Sequence, residues 1–448
     1  EDINRDNNME VGENYWQYKI NLRPSNMNVG QNYISDVIES PVRYANNTTG
    51  SIKWYQFKIP VRQPDKTIGE VDIQNIRFIR MFMKRFDSPV VLRFARLELL
   101  RGDWRTYLYS LLNPGEYSPT PEVPGETEFD ISAVSIEENG ARDPIPYVVP
   151  PGIVRERDIT TTQTATLNEA SLSMRVCKLA DGDARGAYRN TQLDMRSYKK
   201  IKMFAHAESR GASDNLTNGQ LHLFVRLGTD LSQNYYEYDM PLTVTRWNTS
   251  SPDLIWPEAN NLEIDLEKLI SVKLQRNNAQ LSNSNISFLT PFTVSDGDRT
   301  ITIKGSPNLA NVRSILIGVR NPKDPSGTGE KLCAEVWVNE MRMTDFDEQG
   351  GWASTARITA KLADLGNMSI VGNHNSAGWR SIEKKVSEGD RFNRTSYDFS
   401  TNVELGKFLP EKSGVKLPLF FSYGETFVNP EYNPLDPDVL LTKALDAA

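Results

Sequence analysis

Trp352-Ala353-Ser354-Thr355-Ala356-Arg357-Ile358-Thr359-Ala360-Lys361-Leu362 is the stretch whose reading decides the fold. Its even positions carry Trp352, Ser354, Ala356, Ile358, Ala360 and Leu362, while its odd positions from Thr355 carry Thr355, Arg357, Thr359 and Lys361. A period of two sends successive side chains to opposite faces of a strand, so one face here is apolar and the other wet. The pattern recurs downstream. Over 396–405, Tyr397, Phe399, Thr401, Val403 and Leu405 oppose Ser396, Asp398, Ser400, Asn402 and Glu404, and over 415–423 the apolar series is Val415, Leu417, Leu419, Phe421 and Tyr423. A weaker strand at 368–373 fits between the first two, giving three or four in all.

Two environments produce such a pattern. Each segment has about the 9 to 11 residues with which a tilted strand crosses a bilayer, and Trp352, Tyr397 and Tyr423 stand at or near ends where an interfacial girdle would lie. On that reading Trp352, Ile358, Tyr397, Val403, Leu417, Leu419 and Phe421 face lipid, and Arg357, Lys361, Asp398, Asn402 and Glu404 face a wet lumen. A half-buried sheet in a soluble sandwich shows the same period. The pattern alone leaves both open.

Upstream of Gly350-Gly351, short runs rich in Val, Ile, Tyr, Phe and Thr recur between Gly, Pro, Asn and Asp, and read as strands at 51–61, 73–83, 90–100, 220–227, 300–304, 315–319 and 334–343. The stretch 262–274 fits one amphipathic helix, although its first half alternates like a strand. Three blocks repeat in the same order: Tyr55 to Pro60 with Tyr236 to Pro241, Asn75-Ile76-Arg77 with Asn311-Val312-Arg313, and Leu97-Glu98-Leu99 with Asn339-Glu340-Met341. Self-similarity of this kind points to two related modules, in which Glu98 matches Glu340 and Asp103 matches Asp345. Many short strands favour antiparallel, jelly-roll-like sandwiches. Between the copies, 112–151 is rich in proline and acidic residues and reads as an extended linker.

The chain has 448 residues, beyond the size at which one core keeps growing, so two or three domains are expected. No apolar run approaches the roughly 20 residues of a membrane-crossing helix, which does not bear on barrel strands because their alternation averages out as polar. A net charge of -7 argues against nucleic-acid binding, which needs a basic surface. Cys177 and Cys333 are the only cysteines, and two buried free thiols are expected in preference to a disulfide. His206, His222 and His374 lack metal-ligand spacing to either cysteine, so no metal site is expected.

Chemistry-bearing motifs are scarce. Asp181-Gly182-Asp183 and Asp296-Gly297-Asp298 lack the further ligands of a calcium loop and read as hairpin turns, with a calcium staple as the alternative. There is no nucleophile elbow, P-loop or HExxH motif, so no catalytic residue and no cofactor is assigned. Trp54, Trp104, Trp247, Trp256 and Trp337 could form a sugar-stacking platform or could be core.

The run 336–353, from Val336-Trp337-Val338-Asn339-Glu340-Met341 through Asp345-Phe346-Asp347-Glu348 to Gly350-Gly351-Trp352-Ala353, resembles the SprA/Sov family of giant outer-membrane translocons of the type IX secretion system. So do Tyr423-Gly424-Glu425-Thr426, Asn429-Pro430-Glu431-Tyr432-Asn433-Pro434-Leu435-Asp436-Pro437-Asp438, and Gly102-Asp103-Trp104-Arg105. That resemblance implies a section of a very large barrel through which folded cargo leaves the periplasm of Bacteroidota, because three or four strands cannot close on themselves. It implies no catalytic residues. Its implied partners are the remainder of the same barrel, outer-membrane lipid, a lateral-gate β-barrel companion, a periplasmic plug, and cargo with a C-terminal sorting domain.

The combined expectation is an all-β chain with a sandwich-like module at 1–111, a linker at 112–151, a second sandwich-like module at 152–350 and outer-membrane barrel strands at 351–448. Its function would be protein export, tied also to gliding motility. An extracellular glycan-binding sandwich is the alternative from another class, and it requires exposed, coplanar aromatics in one groove.

Overall fold

The structure, a computed structural model, describes residues 14–29, 31–61, 63–69, 71, 76, 79–95, 97, 99, 102–107, 109, 111, 126–155, 166–211, 214–325, 329–348, 350–384 and 388–446. The chain divides into two units, Glu1–Leu100 and Arg101–Ala448. It is mostly β, its sheets are antiparallel, and its helices are few.

In the first unit β1 (Tyr15–Gln17) pairs with β4 (Lys66–Ile68), and β2 (Ile34–Arg43) pairs with β3 (Thr49–Phe57). These are two separate two-stranded ladders, so the described part of 1–111 is not a sandwich. The strand-like runs at 79–83 and 90–95 have no ladder partner among the described residues, and Ile79, Met81, Val91 and Phe94 are exposed. Strand propensity without a neighbour to supply hydrogen bonds does not make a sheet.

The second unit is built on a true sandwich. Its larger sheet runs β13-β14-β11-β10-β15-β8-β5, with β5 Arg105–Thr106, β8 Ala184–Leu193, β10 His222–Gly228, β11 Tyr235–Pro241, β13 Phe292–Asp296, β14 Arg299–Lys304 and β15 Val312–Arg320. The smaller sheet runs β12-β9-β16-β7-β6, with β6 Glu128–Ser135, β7 Ala170–Leu179, β9 Tyr198–Ser209, β12 Leu262–Asp265 and β16 Leu332–Phe346. The inner faces follow from alternation. Leu223, Val225 and Leu227 of β10 and Ile315, Ile317 and Val319 of β15 meet Met203, Ala205 and Ala207 of β9 and Ala334, Val336 and Val338 of β16 in one buried core.

The alternating half of 262–274 is indeed a strand, β12, and its end starts a helix at Leu266–Ser282. Asp265 caps that helix, its carboxylate accepting from Glu267 N at 2.9 Å. Leu266, Leu269 and Val272 close one end of the core. Asp296-Gly297-Asp298 makes the expected hairpin between β13 and β14, with Gly297 at φ 71°. Asp181-Gly182-Asp183 does not. It carries the chain from β7 in one sheet to β8 in the other, so it is an inter-sheet corner with Gly182 at φ 78°.

Two further expectations are corrected. The described part of the proline-rich stretch is no spacer: β6 pairs with β7 from Glu128 to Ser135, and Ile145 and Tyr147 are buried against Trp256 and Trp337. Its prolines bracket segments that fold onto the outside of the smaller sheet. Arg105 and Thr106 pair with Tyr188 and Ala187, so the sandwich begins near 105 and not at 152. The asserted match of Asp103 with Asp345 finds Asp103 in a bend and Asp345 inside β16, while Glu98 lies outside the described residues.

Cys177 and Cys333 are not free thiols but a disulfide joining β7 to β16, neighbours in the smaller sheet. Their 156-residue separation hides an adjacency that only the sheet order creates. Thiol titration of denatured protein should find no free thiol before reduction and two after it. Cys333→Ser should lower the unfolding free energy by about 2–4 kcal/mol, read by denaturant melts. Two reactive thiols in the unreduced protein would refute the pairing.

Candidate functional site

Beyond the sandwich the chain forms a four-stranded meander: β17 Ala353–Leu362, β18 Gly366–Asn375, β19 Phe392–Glu404 and β20 Pro418–Pro430. Directly opposed residues share a face, so the register sorts every side chain. One face carries the rows Leu362–Gly366–Val403–Leu419, Ala360–Met368–Thr401–Phe421 and Ile358–Ile370–Phe399–Tyr423. The other carries Lys361–Asn367–Asn402–Phe420, Thr359–Ser369–Ser400–Ser422, Arg357–Val371–Asp398–Gly424 and Thr355–Asn373–Ser396–Thr426. The weak strand at 368–373 is therefore the full strand β18.

Ile358, Tyr397, Val403, Leu419 and Phe421 thus fall on one face, and Arg357, Lys361, Asp398, Asn402 and Glu404 on the other. Trp352 and Leu417 lie just outside the ladder. Trp352 reaches its apolar face, its ring 4.5 Å from that of His374, and Leu417 accepts from Leu405 N at 2.8 Å beside β20. Glu404 is committed to a turn, its carboxylate accepting from Gly406 N at 3.3 Å and from Leu417 N.

Two features escaped the alternation reading. Phe420, 69% exposed, lies with Val371 and Val428 among the polar side chains of the wet face. Glu425 shares the apolar face but sits in the row Ala356–Gly372–Tyr397–Glu425, where the Tyr397 hydroxyl donates to it. Past that row come Ser354, His374, Thr395 and Phe427, so toward the sandwich end the apolar face becomes mixed. Both outer strands, β17 and β20, leave an open edge.

Sandwich and sheet meet at one end of the meander. A bulge between Asn339 and Arg342, with Glu340 at φ 52°, interrupts the β16–β9 ladder, which resumes as far as Phe346, and Asp347 N donates to Ser197 O at 2.7 Å before β17 begins. After β20 the chain returns as β21 (Tyr432–Asn433) and β22 (Asp436–Leu440). There Lys273 Nζ donates to Asp438 at 2.7 Å, to Pro307 O at 2.9 Å and to Asp436. Asp438 also accepts from the Tyr236 hydroxyl at 2.9 Å and Leu309 N at 3.1 Å. Arg196 donates to Pro437 O at 3.1 Å and lies 4.7 Å over the Tyr432 ring.

The buried polar clusters of the sandwich are structural. Outside the smaller sheet, Glu335 bonds Arg142 at 2.8 Å, Arg175 at 3.1 Å, Ser173 at 2.8 Å and Trp337 Nε1 at 2.9 Å. Outside the larger sheet, Glu237 holds Arg226 and Arg320, whose guanidinium stacks 4.3 Å from Phe224. Burial opposes ionisation of Glu335 and Glu237, yet Arg142 and Arg175, and Arg320 and Arg226, outweigh it and hold both below the usual carboxylate range. No group of three or more metal-capable side chains occurs among the described residues.

The tryptophans make no platform. Trp256 and Trp337 are buried, His206 stacking 4.1 Å from Trp337, and Trp247 donates to Ser209 O at 3.1 Å. Trp104 lies under Arg189, and Trp54 belongs to the other unit.

Fold and site define a class: an antiparallel β protein whose sandwich carries an open, two-faced sheet, with no catalytic constellation among the described residues. The chain belongs to the SprA_N family, described as motility related/secretion protein, whose profile matches residues 1–445. That is a family of secretion and motility proteins and not of enzymes. No curated protein matches the chain.

The sandwich should be acid-sensitive. Because Glu335 and Glu237 have lowered folded-state pKa values, their stabilisation is present above the ordinary carboxylate pKa and is lost as pH falls through the depressed values. Thermal midpoints should be flat from about pH 7 to 5 and drop below about pH 4. Glu335→Gln should destabilise by about 3–5 kcal/mol, since it removes the buried charge that Arg142 and Arg175 share, whereas Asp364→Asn, which breaks an exposed pair with Lys407, should leave the thermal midpoint unchanged.

Proposed function

We propose that the chain forms part of an outer-membrane protein-export conduit, the translocon of the type IX secretion system, with the four-stranded sheet as a section of its wall. The observation that carries this reading is the register: three successive rows of one face are apolar but for Gly366 and Thr401, while hydroxyl, amide and charged side chains make up most of the other. From Tyr397 to Glu404, the end of β19, the strand rises roughly 23 Å at about 3.3 Å per residue. Tilted by about 40°, that stretch covers roughly 18 Å of membrane height, most of the apolar band about 25 Å tall of outer-membrane barrels.

The wet face suits passage of varied proteins. Thr359, Ser369, Ser400 and Ser422 offer hydrogen bonds without a strong field, and Arg357, Lys361, Asp398 and Asn402 mix both signs. The open edges of β17 and β20 call for further strands, supplied by the remainder of the barrel, since backbone groups facing lipid must be paired. The disulfide supports a site outside the reducing cytoplasm. The lateral-gate companion, the periplasmic plug and cargo bearing a C-terminal sorting domain are the partners of this reading.

Leu419→Arg places a charge on the lipid face at a cost of about 2–4 kcal/mol near the bilayer midplane, whereas Asn402→Arg faces water. The first should impair membrane assembly and cargo export and the second should be tolerated, measured by heat-modifiable mobility in isolated outer membranes and by cargo in the medium. Equal, normal export by both variants would end the conduit reading. Barrel turns are short on the periplasmic side and longer outside. The three-residue turn at 363–365 should therefore be periplasmic, with 405–417 at the same end of the sheet, and the loop at 376–391, together with the sandwich, external. On intact cells an impermeant thiol reagent should label Ser381→Cys and spare Lys412→Cys, and the reverse result would invert the assignment.

A further inference from the structure

The segment that follows β20 behaves unlike a strand waiting for the next one. Pro430 closes β20, and Pro434 and Pro437 lack the amide donor that a further long strand needs, so the segment makes only the short β21–β22 ladder. Instead it turns back, and its Asp438 and Val439, each 1% exposed, enter the sandwich beside Tyr236 and Leu309. The receptor is polar and built in advance: Lys273, also 1% exposed, has its three ammonium protons directed to Pro307 O, Asp436 and Asp438. A second set of contacts lies alongside, where Arg391 reaches Glu431 at 3.6 Å and donates to Ser197, and Arg196 covers Tyr432.

We propose that residues 431–440 are a releasable latch that fixes the pose of the sandwich at one end of the sheet. With the latch seated, the sheet is held at both of its chain ends, through Asp347 before β17 and through Asp436 and Asp438 after β20. With it released, the sandwich keeps the connection before Trp352 and the Arg391–Ser197 contact, and loses its hold on the other chain end of the sheet. Release exposes Val439 but otherwise parts mainly polar contacts: Leu435 is already 94% exposed, and the carboxylates and Lys273 regain water when they part. A buried ion cluster selects one arrangement more than it adds net stability, which suits a catch. The latch is independent of which sheet face meets lipid.

The test uses the whole chain with spin labels at Asn278→Cys on the sandwich helix and Thr359→Cys on β17. Labelling is specific because both native cysteines are paired. Electron-spin distance measurements should give one narrow distribution for the parent, and for Asp438→Asn and Lys273→Met a broad distribution with at least a tenth of the population displaced, read at a temperature where circular dichroism shows the sandwich still folded. A second arm avoids any change to buried residues: a specific protease site inserted at Leu435 lets the purified, folded protein be cut between sheet and latch. Cutting should broaden the distribution in the same way. A distribution that stays narrow after complete cleavage, or in variants whose sandwich remains folded, overturns the latch.

Discussion

Register between four strands is the constraint on which the rest depends. Because side chains alternate with a period of two, a slip of one residue between any two of β17 to β20 would carry Phe399, Phe421 and Tyr423 to the polar face and Asp398 and Asn402 to the apolar one. The tight turn after β17 resists such a slip. Ala363 adopts φ 48°, Leu365 N bonds Leu362 O at 2.9 Å, and Glu404 N bonds Leu365 O at 2.7 Å, so three strands are aligned through one turn. At the other end of β20, the seating of Asp436 and Asp438 against Lys273 fixes where that strand stops.

The sandwich solves a different problem. Both of its sheets bury their outer faces as well as their inner ones, and the outer faces carry charge: Arg226, Glu237, Asp239 and Arg320 on one, Arg142, Arg175, Glu208 and Glu335 on the other. Each carboxylate is met by guanidinium groups, and the aromatic rings of Phe224 and Trp337 lie against those groups at 4.3 Å and 5.2 Å. Covering segments from 136–155 and 245–257 shield the smaller sheet through Ile145, Tyr147, Ile255 and Trp256. Paired strands with two covered faces make a stiff body.

What could be read beforehand follows from which interactions are local. Alternation is local, so the sheet after Gly351 and the core strands near 220–227, 300–304, 315–319 and 334–343 were legible, together with both halves of 262–274. Long-range adjacency is not. Nothing near Cys177 announces that β16 lies beside it, and nothing in Asp181-Gly182-Asp183 tells a corner between sheets from a hairpin within one. Proline content misled at 112–151, because prolines also flank segments such as Ile145 to Tyr147 that lie flat on a sheet and make few ladder bonds. The runs at 79–83 and 90–95 have the composition of strands, but composition does not supply a partner. Counting apolar positions likewise could not reveal Glu425 among them or the return of Asp438 into the core.

β16 occupies the middle of the smaller sheet, between β9 and β7, although it is the last of the sandwich strands to leave the ribosome. A chain delivered N-terminus first therefore carries a vacant central slot, with the facing edges of β7 and β9 unsatisfied, until 332–346 has arrived. The same strand, continued by a few residues, leads into the four-stranded sheet. The central slot is therefore filled before any strand of that sheet has arrived, while Asp436 and Asp438 reach Lys273 only after the last of them, so the sandwich is completed in two steps that bracket the sheet in time.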